Sequence, residues 1–152
     1  MVDQKLAICA YTRVASDPTW GELSMVTQKA KIEAYVHEHF PGSRLDFFED
    51  YASGYTFDRE KYRVMRRKLI AHEYDLLIVR DLSRVARYNG GEFSELEVLH
   101  DNGIRIVSIA DGLDTAKEED WFNIQILFLM KEWLCDKTAR NIERALRELP
   151  NE

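Results

Sequence analysis

The sequence predicts an α/β domain with a mainly parallel central sheet of about four to five strands, helices on both faces and a long C-terminal helix. Three observations carry this expectation. Short apolar runs of strand length alternate with longer segments whose apolar residues recur at helical spacing. Each pair of successive strands is separated by a helical segment, which favours crossover connections and parallel pairing. The segment after Thr115 holds one helical pattern far longer than the others.

The elements follow in order. Leu6 to Tyr11 is an apolar run of strand length. From about Glu22 to Phe40, Met25, Ile32, Val36 and Phe40 mark one face of a helix, and Pro41-Gly42 ends it. Leu45 to Phe48 reads as the second strand, and Ala52-Ser53-Gly54 as a loop. Asp58 suits a helix N-cap, ahead of Tyr62, Met65 and Leu69 on one apolar face. Leu76 to Val79 is the best strand in the chain, because all four residues are aliphatic. Phe93, Leu96 and Leu99 mark a further helix, closed by Asn102-Gly103, and Ile104 to Ile109 forms a fourth strand.

The last helix is expected from about Glu118 towards Leu149, roughly 45 Å if continuous. Trp121 to Leu134 is apolar nearly all round, so one face can pack on the domain while the opposite face requires a second cover. Beyond it, Arg140, Arg144 and Arg147 form a stripe at helical spacing. That stripe suits phosphate contact, or a solvated face with Glu143 and Glu148 as ion-pair mates. Residues 1–117 are thus expected to form the core, and 118–152 an association helix leading towards a DNA-binding region.

Composition narrows the function. The 152 residues are 45% hydrophobic and 32% charged, which fits one globular domain. Ile124 to Met130 is interrupted by Gln125 and too short to span a bilayer, and the N-terminus lacks a signal peptide's apolar core. A cytoplasmic location and no membrane partner are expected. Cys9 and Cys135 read as buried thiols, and His37 and His39, two apart on a helix, do not share a face for zinc. The net charge of −6 argues against DNA binding by bulk electrostatics, so any DNA contact must come from local arginines or another domain.

Ligand sites in such sheets lie at the carboxyl ends of the strands. Those ends carry Tyr11-Thr12-Arg13-Val14-Ala15-Ser16, then Asp50-Tyr51-Ala52-Ser53-Gly54 with Arg59, then Arg80 through Arg87, then Asp111 through Thr115. Arg13, Arg59, Arg84 and Arg87 would converge on one edge of an acidic domain, and guanidinium forks suit phosphate oxygens. The competing reading pairs these arginines with Asp81 and Glu92 on the surface. No Gly-rich phosphate loop with a Lys-Ser/Thr pair is present, so a phosphodiester fits better than ATP.

These residues carry a resemblance. Tyr11-x-Arg13-Val14 is similar to the tyrosine-x-arginine-valine-serine motif that opens the resolvase/invertase family of serine site-specific recombinases. Asp50 to Gly54 with Phe57-Asp58-Arg59 resembles its second motif, and Val79 to Arg87 its third. Asp81-Leu82-Ser83-Arg84, Asp111 to Thr115, Lys131-Glu132-Trp133 and Thr138-Ala139-Arg140 resemble the large transposon-type members especially. The motifs stand in family order across nearly the whole chain.

The resemblance implies a resolvase-like fold and DNA cutting and rejoining through a 5′-phosphoserine intermediate. No metal and no nucleotide cofactor is implied. It implies catalytic positions at Ala15 (where the family has its nucleophilic serine), Arg13, Arg84, Arg87, Tyr11, Asp50 and Ser53. It implies DNA or phosphate contacts by Arg59, Gln28, Arg140 and Arg144. The implied partners are DNA and further copies of the chain, as a homodimer or homotetramer through the long helix.

The departures are specific. The methyl group of Ala15 cannot attack a phosphate, so the chain is expected to be inactive as given. Ser16 is adjacent, but a one-residue shift in an extended segment turns a side chain to the opposite side. The alanine is either an introduced change or the mark of a degenerate relative that only dimerises or regulates. Asp136-Lys137 reverses the family's lysine-aspartate order. The DNA-binding domains expected after the catalytic one are not in these residues, which suggests a shortened product. A nucleotide- or phosphate-binding doubly wound domain unrelated to recombination is the third reading.

Overall fold

A computed structural model describes residues 5–14, 20–51, 60–82 and 93–149. The elements are β1 (Ala7–Val14), α1 (Trp20–His39), β2 (Arg44–Tyr51), α2 (Glu60–Ile70), β3 (Leu76–Val79), α3 (Phe93–Asp101), β4 (Arg105–Ser108), β5 (Leu113–Asp114) and α4 (Glu118–Arg147). One sheet runs β2-β1-β3-β4-β5. The first four strands are parallel, and β5 returns antiparallel to β4.

This order places the site. The chain winds from β1 outward to β2, then crosses back over β1 to β3 and continues to β4. With crossover handedness unchanged, reversing direction puts the helices on opposite faces. The packing agrees. Ile32 and Val36 of α1 meet Ile8, Ala10, Leu76, Ile78 and Val107 on one face. Tyr62, Met65 and Leu69 of α2, Leu96 and Leu99 of α3, and Ile124 and Phe128 of α4 meet Cys9, Tyr11, Leu77, Val79 and Ile106 on the other. The strand order reverses between β1 and β3, so a crevice is expected outside the carboxyl ends of those two strands.

β1 and β2 run further than their apolar cores, to Val14 and Tyr51. Their ladder continues through Thr12 opposite Glu49 and Arg13 opposite Asp50. Backbone pairing thereby carries polar side chains to the crevice. The fifth strand is two residues long and lies in the Asp111–Thr115 stretch, which the sequence reads as a strand end. Gly112 turns the chain at φ +64°, Thr115 N–H donates to the Ile106 carbonyl, and Ile106 N–H donates to Thr115 Oγ1.

Helix ends explain two further details. At Asn102-Gly103, Ile104 N–H donates to Leu99 O and Gly103 N–H to His100 O, with Gly103 at φ +77°. This pair of hydrogen bonds satisfies the last carbonyls of α3. α2 ends with the same pattern, Glu73 to Lys68 and His72 to Leu69, but His72 holds the left-handed position at φ +60°. A side chain there is strained. His72→Gly is therefore expected to stabilise the fold by about 1 kcal/mol, read as a higher urea midpoint with an unchanged slope.

α4 is 30 residues long, about 45 Å. Ile124 and Phe128 seat its first half, and His100 of α3 stacks on Trp121 at 3.9 Å with ring planes 7° apart. The opposite side is open: Phe122, Ile126, Leu129, Met130, Trp133 and Leu134 are all exposed. No helix among the described residues is long and apolar enough to cross a membrane. Cys9 is buried, and that burial pushes its thiol far above the ordinary range, which disfavours the thiolate. The Cys135 side chain and the Asp58 cap lie outside what is described.

Candidate active site at the carboxyl edge of the sheet

Arg13 stands one residue before the end of β1 and is 4% exposed. Strand alternation puts it on the same face as Tyr11, two residues back. Its cross-strand partner is Asp50, and parallel partners share a face. The α2 side of the strand end thus holds a guanidinium, a phenol and a carboxylate together.

Asp50 organises this group. Its Oδ2 accepts from the Tyr11 hydroxyl at 2.8 Å and from Tyr62 N–H at 3.0 Å, and its Oδ1 accepts from Lys61 N–H at 3.2 Å. These N–H groups belong to the first turn of α2, which has no intrahelical acceptor for them. A carboxylate from β2, ten residues before the helix begins, therefore serves it as a cap. The sequence points to Asp58 for that work and gives no sign of Asp50, because a long-range cap has no local spacing. Replacing Asp50 with Ala would orphan a buried hydroxyl and two helix N–H groups. We expect a loss of about 2–4 kcal/mol in urea unfolding, and a smaller loss for Asp50→Asn, which keeps an acceptor.

Tyr11 has no exposure and belongs to the core, with its ring edge-on to Tyr62 at 5.1 Å. Packing and hydroxyl orientation coexist in this one residue. The Tyr62 hydroxyl in turn donates to Glu95 Oε1 of α3 at 2.7 Å, which also receives Arg66 Nε at 2.6 Å. α2 and α3 are thereby tied to each other behind the strand end.

Gln28, which the resemblance assigns to DNA or phosphate contact, lies inside the fold. It is fully buried, and its Nε2 donates to the Arg13 carbonyl at 3.4 Å and to Ser24 Oγ at 3.3 Å. Its Oε1 has no partner among the described residues, and neither has Thr12 Oγ1. The burial arises because α1 lies across β1, and nothing in a lone helical glutamine announces that.

β3 delivers its own end to the same edge. Past Val79, Arg80 O accepts from Ala110 N–H, and Leu82 is fully buried. Asp111 Oδ2 accepts from Leu82 N–H at 3.1 Å and from Ser108 Oγ at 2.6 Å. The backbone is thus anchored immediately before the stretch with Arg84 and Arg87. Ala15, Ser16, Ser53, Arg59, Arg84 and Arg87 lie outside the described residues. Arg140 and Arg144 are exposed on α4, far along the helix from its seat on the core. Of that stripe, Arg147 pairs with Glu143, while Arg140 and Arg144 have no ion pair among the described residues. No group of three or more potential metal ligands occurs among the described residues.

A doubly wound sheet with an arginine, a tyrosine and an aspartate gathered at the end of its first strand defines a class, and the family model agrees. Residues 8–150 match the resolvase N-terminal domain, so the chain belongs to the resolvase family. Its fold is that of serine-recombinase catalytic domains. A resolvase family site-specific recombinase from Streptococcus pneumoniae superposes with a TM-score of 0.64 at 20% identity, covering 95% of this chain and 100% of that one. The N-terminal catalytic domain of TP901-1 integrase gives 0.63 at 19% identity, covering 92% and 98%. The C-terminal catalytic domain of ISC1926 TnpA, an IS607-like serine recombinase, gives 0.59 at 18% identity, covering 68% and 70%. No curated protein matches the sequence.

Proposed function

We propose that residues 1–117 form the catalytic core of a site-specific serine recombinase, and that residues 118–152 form a helix for subunit association leading towards DNA. The observation that carries this is Arg13, held almost fully buried at the end of β1 beside the Tyr11–Asp50 pair. A guanidinium fork fixed at this edge suits the oxygens of a scissile phosphodiester, with Arg84 and Arg87 as further forks on its non-bridging oxygens. By the same resemblance Arg59 is assigned to the phosphate or to ordering the site, and Ser53 to orienting it by a hydrogen bond.

The reaction is one of phosphoryl transfer. In the active form a serine at position 15 attacks phosphorus, the 3′-oxygen leaves as a hydroxyl, and the 5′-phosphate stays on the serine. The reverse attack by a 3′-hydroxyl restores the phosphodiester, so the bond energy is kept. The arginines offset charge that grows on the phosphate oxygens during both steps. Asp50 positions Tyr11 and α2. Gln28 aligns the strand end: its amide donors are spent on Arg13 O and Ser24 Oγ, and its remaining acceptor suits a donor group, not a phosphate. With alanine at position 15 the phosphate can be held but not attacked.

The exposed apolar side of α4 supports association with further copies of the chain, and Arg140 and Arg144 beyond it suit DNA phosphates. Restoring the nucleophile tests the reading. The Ala15→Ser protein, given a suicide duplex carrying its recombination site, should form a covalent protein–DNA adduct that the alanine form does not. A second reading, a non-catalytic module that associates with an active relative, is favoured by Ala15 itself. In that case serine restoration yields no adduct.

A further inference from the structure

We propose that the outer face of α2 is a second DNA-backbone site, in which Arg63 and Arg67 carry the strand away from the catalytic edge. This rests on reading the chain as a DNA-acting recombinase domain. None of the family motifs in the sequence includes these two residues.

The first observation is charge placement. The chain has 27 acids against 21 Lys and Arg. In α1, α3 and α4 the acids outnumber Lys and Arg. α2 reverses this, with Lys61, Arg63, Arg66, Arg67 and Lys68 against Glu60 alone. A polyanion leaving the crevice over the other helices would meet net repulsion, and over α2 it would meet attraction.

The second observation is shape. Glu60, Arg63, Val64, Arg66 and Arg67 line an open groove of about 450 Å³. Arg63 and Arg67 are exposed and four residues apart, so they share one helix face about 6 Å apart along the axis. Arg66 is held from within by Glu95. Arg67, Lys61 and Lys68 have no ion pair among the described residues. The Arg63 and Arg67 guanidinium groups along one groove suit successive phosphate oxygens.

The third observation is continuity. The groove begins where the candidate site ends, because the first turn of α2 is fastened to Asp50, and Asp50 to Tyr11. From Tyr62 to Arg67 is about 7.5 Å along the helix. A strand held at the end of β1 can pass directly onto this face. An acidic protein surface could meet the same charges, but only a nucleic-acid strand must also occupy the neighbouring phosphate site.

The experiment is a salt titration of binding. A fluorescein-labelled duplex of unrelated sequence is titrated with the 152-residue chain by fluorescence anisotropy at several low salt concentrations. Arg63→Gln with Arg67→Gln should lower the slope of log affinity against log salt by about two, and Arg67→Ala alone by about one. A control, Lys31→Gln with Lys117→Gln, should leave the slope unchanged. All four proteins are matched by thermal melting. An unchanged slope in the α2 variants, an equal fall in the control, or no binding by the unaltered chain overturns the proposal. So does a change in self-association, read by sedimentation, without a change in slope, since the face would then be a protein contact. If Ala15→Ser gives an adduct while the α2 slope does not move, only this inference fails. If the slope falls and no adduct forms, the DNA site stands and the recombinase chemistry fails.

Discussion

In a serine-restored chain, Arg13→Ala is expected to cut the rate of adduct formation by about 100- to 1,000-fold, the usual effect of removing one preorganised donor from a developing oxyanion. Arg13 is buried at the end of β1 and its backbone carbonyl is held by Gln28, so its guanidinium has little freedom to wander. Such a group contributes most when charge builds, because its reorganisation is already done. Non-covalent affinity for DNA should change far less than the rate. Arg13→Lys keeps the charge but loses the fork, and should recover only part of the activity. An Arg13→Ala protein that forms adduct at the parental rate would remove Arg13 from the chemistry. Melting curves separate this from a packing defect, which would lower binding and rate together.

The second large effect concerns α4. Leu129 is 68% exposed and Trp133 55%, one turn apart on the side facing away from Ile124 and Phe128. A continuous apolar strip of this kind is rare on a monomer. Leu129→Glu with Trp133→Glu should weaken self-association by at least about 100-fold, because central aromatic and aliphatic anchors carry most of an interface's energy. The melting temperature of the separated chain should hold, since neither residue belongs to the core. Sedimentation equilibrium reads the association and calorimetry the melting. An unaltered chain that stays monomeric at high concentration contradicts the assignment of α4 to association.

The sheet and helices were legible in the sequence wherever burial alone decides structure. Leu76 to Val79 forms β3 with no residue added or lost, because a four-residue aliphatic run has no other use. The length of α4 was legible, and so was its need for two covers, since Trp121 to Leu134 is apolar nearly all round; that Ile124 and Phe128 take the core side was not. What escaped was decided by partners distant in sequence. β1 and β2 extend through Thr12, Arg13, Glu49 and Asp50 by pairing with each other. β5 is two residues that exist as a strand only against β4. The site divides in the same way. Tyr11, Arg13 and Asp50 were legible as a motif, and the structure brings them together. The cap that Asp50 provides and the burial of Gln28 depend on where α2 and α1 come to lie.

The central claim is that the domain retains a built phosphate site and lacks only the attacking atom at position 15. Mass spectrometry of the Ala15→Ser protein, digested after reaction with the suicide duplex, tests this most directly. The account predicts a 5′-phosphoryl oligonucleotide attached to the peptide containing position 15, on the restored serine and nowhere else, and no attachment in the alanine form. No adduct, or an adduct mapped to Ser16 or Ser53, would contradict it.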